Sequence, residues 1–126
     1  MKVKRIGFVG VRTDKVAEMT SFFRDVIGLK GRRTDENWTS AQLASGPWDL
    51  VEVFGEDFDD ERLIPREVDG VFVAFFVDDL DEARRDAEAA GAEILGENVV
   101  FEQHGIGWFF LRAPDGRIYV IQQAPD

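Results

Sequence analysis

The sequence predicts an α+β fold built from two tandem βαβββ modules. Three observations carry that reading. Stretches of strand length with period-two apolar alternation are interrupted by two segments whose apolar residues recur every three or four positions, the period of a helix. The order strand, helix, three strands then repeats with an offset of about 64 residues. Finally, 126 residues with 44% hydrophobic side chains suffice for one core, and cysteine is absent, so no disulfide supports it.

Module one occupies residues 1–55. Its opening strand, Lys4 to Arg12, sets Ile6, Phe8 and Gly10 against Gly7, Val9 and Val11, as a strand buried on both faces does. Thr13 or Asp14 is placed to cap a helix carrying Val16, Met19, Phe22, Phe23, Val26 and Ile27, with Gly28 ending it. Three strands follow, at about Leu29–Thr34, Trp38–Ala44 and Trp48–Phe54, the last two joined by Ser45-Gly46-Pro47. Residues 56–67 hold six acidic side chains and little periodicity, which reads as a solvated linker. A calcium loop through Asp57, Asp59 and Glu61 lacks the glycine an EF-hand turn requires.

Module two, residues 68–126, repeats the order. Val71–Val77 is an apolar strand. Asp79 and Glu82 form a capping-box pair ahead of a helix with Leu80, Ala83, Ala87 and Ala90 on one face, stopped by Gly91. Strands at about Asn98–Glu102, Gly107–Arg112 and Arg117–Gln122 complete it, with Pro114-Asp115-Gly116 as a hairpin turn.

Charge narrows the function. Fifteen Lys and Arg against 25 Asp and Glu give a net charge of −10, the wrong sign for gripping nucleic acid or an anionic membrane. No segment has the apolar length of a signal-peptide core or a membrane span, so a soluble, cytoplasmic protein is expected. His104 is the sole histidine, which excludes sites needing two imidazoles from one chain and leaves one candidate for any catalytic triad.

The tandem modules, the run Phe22-Phe23-Arg24-Asp25-Val26-Ile27-Gly28-Leu29, the run Val77-Asp78-Asp79-Leu80-Asp81 and the run Ala113-Pro114-Asp115-Gly116-Arg117 together resemble the vicinal oxygen chelate superfamily. That superfamily joins glyoxalases, extradiol dioxygenases and bleomycin-resistance-type binding proteins. The resemblance implies that each module rolls its sheet into a half-barrel with one helix outside, the two enclosing a cavity. It implies further that catalytic members hold a divalent metal through His and Glu on the first and last strands of each half. Those positions correspond here to Phe8, Glu52, Phe72 and Val120, and three of the four have no lone pair to donate. The chain is therefore closest to the metal-free, bleomycin-resistance-type members, with no catalytic residue, no metal and no cofactor expected. The alternative is a metal-dependent lyase, isomerase or dioxygenase with an atypical site at Glu52, Glu102 and His104.

Alternation from the metal-type positions assigns the remaining lining. Phe8, Gly10, Arg12, Trp38, Ser40, Gln42, Trp48, Leu50, Glu52, Phe72, Ala74, Phe76, Trp108, Phe110, Ile118, Val120 and Gln122 share one face; Val9, Val11, Leu43, Val51, Val53, Val73, Phe75 and Leu111 take the helix-covered face. The expected ligand-binding set is Phe8, Arg12, Trp38, Gln42, Trp48, Glu52, Phe72, Phe76, Trp108 and Phe110. Its seven aromatics suit a pocket for a flat, largely apolar molecule, antibiotic-like in the resistance members, or else they fill the barrel as core. Arg12 either pairs with Glu52 or another acid, or meets an anionic group of the ligand. Glu52 serves as a ligand's counter-ion, a structural acceptor or a general base. The resistance-type members act as homodimers, so a homodimer is expected, and a domain that has lost its pocket and serves dimerisation or regulation is the third reading.

Overall fold

A computed structural model describes residues 1–34, 40–44, 50–55 and 64–125. The elements are β1 (Val3–Thr13), α1 (Val16–Ser21), β2 (Lys30–Thr34), β3 (Ser40–Ala44), β4 (Val51–Gly55), β5 (Gly70–Val77), α2 (Leu80–Ala89), β6 (Glu93–Phe101), β7 (Ile106–Arg112) and β8 (Ile118–Gln123). This is the βαβββ order twice over. The contacts group into two compact units, Phe8–Val71 and Met1–Gly7 with Phe72–Asp126, so β1 is divided between them.

In the unit Phe8–Val71 the strand order is β2-β3-β4-β1. β1 and β4 are parallel, and β3 runs antiparallel to both β4 and β2. Val16, Leu43 and Val53 are buried together, with Met19, Phe23, Leu29 and Val51 packed against them. Leu43, Val51 and Val53 thus lie on the face the alternation gave to the helix. The helix itself departs from expectation at both ends. The residue at its N-cap is Lys15, without a side-chain cap, and the Thr13 hydroxyl oxygen instead accepts the Lys15 N–H at 3.1 Å, one position too early to cap the first turn. After Ser21 the backbone widens into a π-helical turn, Phe22–Ile27, which ends at Gly28 in the left-handed region at φ 92°. A wider turn rotates the apolar stripe off the core. Phe23 still packs, but Phe22, Val26 and Ile27 are 42%, 69% and 56% exposed. The far end of the expected linker is also packed rather than solvated, since Ile64 and the following Val68 are buried; residues 56–63 lie outside the described residues.

In the other unit the order is β1-β5-β8-β7-β6, with β5 and β8 parallel and the rest of the pairs from β8 to β6 antiparallel. The Asp79 side chain accepts the Glu82 N–H at 3.0 Å, as the capping pair predicts. Leu80, Ala83 and Ala87 then meet Val77, Phe109 and Ile121 in the core, while Ala90 falls at the exposed C-cap. β6 begins at Glu93, five residues before the predicted Asn98. Gly96 at φ 72° and a register shift between Leu95 and Val99 break the alternation there, which hides the first half of the strand. Glu102, expected in that strand, opens a single 3₁₀ turn, Glu102–His104. The Ala113–Arg117 hairpin closes as predicted, with Ala113 N–H to Arg117 O at 2.7 Å and Gly116 N–H to Ala113 O at 2.9 Å. Among the described residues no helix is long and apolar enough to cross a membrane.

Candidate functional site

Strand register builds one polar row in the unit Phe8–Val71. Gly10 of β1 stands opposite Glu52 of β4, and Gln42 of β3 stands opposite Glu52 on the other side. The Gln42 amide donates from Nε2 to Oε1 of Glu52 at 2.7 Å, in a partly buried setting. A charge-assisted bond of that length fixes both the amide orientation and the carboxylate rotamer. Gly10 adds no side chain to the row. Phe8, two residues earlier on the same face of β1, is buried. Arg12, two residues later, donates from Nη1 to the carbonyls of Pro65 at 2.9 Å and Val68 at 3.1 Å. Its guanidinium therefore ties down the chain after the acidic segment through main-chain acceptors, a use beside the two expected for it, an acid partner or an anionic group of a ligand. Trp38 and Trp48 lie outside the described residues.

The equivalent row in the other unit is made of carbon. Ala74, Val120 and Phe110 stand opposite one another across β5, β8 and β7, so Val120 takes the place of Glu52 and Phe110 that of Gln42. The next row is Phe76, Gln122 and Trp108. Phe72 and Phe110 are buried, whereas Phe76 and Trp108 remain half-buried. The Arg5 guanidinium lies 5.0 Å from the Phe76 ring centroid, and Gly7 leaves room for that ring where any Cβ would overlap it. Trp108 carries a further neighbour that alternation did not single out: the Phe101 ring of β6, 5.5 Å away and tilted by 34°. The signal was available in the sequence, since Val99, Val100 and Phe101 run alongside Trp108 once the hairpin is paired.

These positions do not suit a divalent metal. Phe8, Phe72 and Val120 offer no donor atom, and among the described residues no three His, Asp or Glu side chains are grouped to hold an ion. What the two rows can do is recognise: a hydrogen-bonded carboxylate in one unit, and an aromatic face with a single amide in the other.

Residues 5–117 match the model of the Glyoxalase/Bleomycin resistance protein/Dioxygenase superfamily. A search among curated proteins finds no match. Solved structures are similar over nearly the whole chain. A superfamily member from Vibrio splendidus 12B01 shares 19% identity at a TM-score of 0.70, over 97% of this chain and 99% of its own. Methylmalonyl-CoA epimerase from Mycobacterium tuberculosis shares 17% at 0.73, over 98% and 90%. The Mn(II)-bound glyoxalase from Novosphingobium aromaticivorans shares 22% at 0.68, over 97% of this chain but 39% of its own. At such identities the likeness is one of fold.

Proposed function

Since the chain belongs to the glyoxalase/bleomycin resistance protein/dioxygenase superfamily, we propose that it is a member that works by binding, sequestering a planar aromatic, antibiotic-like molecule without a catalytic metal. One observation carries the reading: the positions where the resemblance puts metal ligands hold Phe8, Phe72 and Val120, each buried and each without a donor atom. A lone carboxylate, Glu52, already bonded to Gln42, is poor equipment for Lewis-acid chemistry. It suits a counter-ion to a basic group on the ligand. The expected homodimer is part of the same proposal and is read by sedimentation at micromolar concentration.

The test combines two measurements on one preparation. Protein purified without chelators is assayed for transition metal before and after incubation with manganese, nickel, zinc and iron. The same protein is then titrated with polycyclic and glycopeptide antibiotics while tryptophan emission is followed. Saturable quenching in metal-free protein is the expected result. Stoichiometric metal uptake accompanied by isomerase, epimerase or dioxygenase turnover would favour the metal-dependent reading instead, in keeping with the Mn(II)-bound glyoxalase of the same fold.

A further inference from the structure

The end of β6 offers a second recognition surface. Phe101 and Ile106 form the last register pair of the β6–β7 hairpin, and the chain between them closes in one 3₁₀ turn, ended by Gly105 in the left-handed region with its N–H on the Glu102 carbonyl at 3.2 Å. That turn leaves a depression of about 410 Å³ lined by Val100, Phe101, Glu102, Gln103 and His104. It is an open surface depression walled by the turn and the end of β6. Two of its walls are large exposed apolar side chains, Val100 at 55% and Phe101 at 41% exposure, which a flat apolar ligand would cover. The Trp108 ring packs against that of Phe101, its centroid 5.5 Å away and its plane tilted by 34°. Among the described residues the rim carries one carboxylate, one amide and one imidazole, and neither Lys nor Arg.

Resting on the binding reading above, we propose that this depression takes a planar aromatic cation, its ring against Phe101 and its charge toward Glu102. An aromatic face supported by a second ring attracts both a flat π-system and a cation, and the carboxylate selects the cation over a neutral or anionic analogue. The chain's net charge of −10 acts in the same direction.

The test uses the full chain and three probes: proflavine, a planar cation; acridine, its uncharged analogue at slightly alkaline pH; and anthracene-9-carboxylate, an anion. His104 is the only histidine, so its imidazole Cε1–H resonance is an unambiguous reporter placed in the wall of the depression. Proflavine is expected to shift that resonance saturably. Phe101→Ala should weaken proflavine roughly ten-fold, in line with loss of an aromatic contact, with Phe101→Leu as a milder companion if the alanine variant misfolds. Glu102→Gln should weaken proflavine several-fold and leave acridine unchanged. Proflavine that binds by fluorescence without moving His104, or with full affinity to F101A, overturns this site while leaving the binding reading intact. An equal response to the anion overturns the cation assignment, and no response to any probe overturns the site altogether. The antibiotic titration then judges the binding reading by itself.

Discussion

Gly7 and Phe76 show how much a single atom decides. The Phe76 ring occupies the place a Cβ on residue 7 would take, and Arg5 lies over the same ring at 5.0 Å. Gly7→Ala is therefore expected to lower stability by about 1–3 kcal/mol through overpacking, read as a shift of the urea midpoint. Phe76→Leu in the same chain should recover part of that loss in a double-mutant cycle. An unchanged midpoint in the alanine variant would mean the ring moves aside freely. Gln42 and Glu52 pose the complementary case, a contact whose loss hurts: Gln42→Ala removes a 2.7 Å bond to a half-buried carboxylate and should cost about 1–2 kcal/mol, whereas Gln42→Glu sets two carboxylates together and should cost more. Should both variants unfold at the parent's denaturant concentration, the pair is incidental. At this scale the sequence was partly legible. Counting by twos placed Gln42 and Glu52 on one face, because alternation is a local property of a strand. The partners of Arg12 were not, because the Pro65 and Val68 carbonyls come from a segment without periodicity, and main-chain acceptors carry no sequence mark.

Elements were legible where local chemistry and tertiary packing agree. The Asp79 cap and the Pro114-Asp115-Gly116 turn are dictated within four residues, and both formed as read. The first helix was not, because the stripe from Val16 to Ile27 fits an α-helix, whereas the backbone widens after Ser21 and leaves Val26 and Ile27 exposed. The hairpin also sets a pH dependence. Asp115 accepts the Arg117 main-chain N–H at 3.0 Å and its guanidinium at 2.7 Å, and these hold its carboxyl below the ordinary aspartate value of 3.8. A carboxyl depressed in the folded state stabilises the fold fully above its unfolded value and loses that contribution as pH falls through the lower, folded one. The stability gap between the parent chain and Asp115→Ala should accordingly be constant near neutrality and shrink below about pH 4, as followed by thermal unfolding across an acid series. A gap that persists in strong acid would assign the effect to turn propensity instead of charge.

For the molecule as a whole, the repeat was the most legible feature, since an offset of about 64 residues survives the divergence of individual side chains. The grouping of Met1–Gly7 with Phe72–Asp126 was not, for one continuous strand gives no sign of which neighbours each end will join. Charge belongs to this scale too, because it acts at a distance on whatever approaches. A surplus of ten negative charges on 126 residues creates a field that draws cations inward, yet salt confines it to about 10 Å at 0.1 M. Steering of that kind raises the association rate and leaves the salt dependence of dissociation small, because charges already in contact stand much closer than a Debye length and are little screened. The association rate constant of proflavine should then fall several-fold between low and physiological ionic strength, while that of uncharged acridine stays level. Stopped-flow fluorescence over a sodium chloride series separates the two. Parallel slopes for both dyes would show that the surplus serves solubility and that ligand selection rests on Phe101, Glu102 and their neighbours alone.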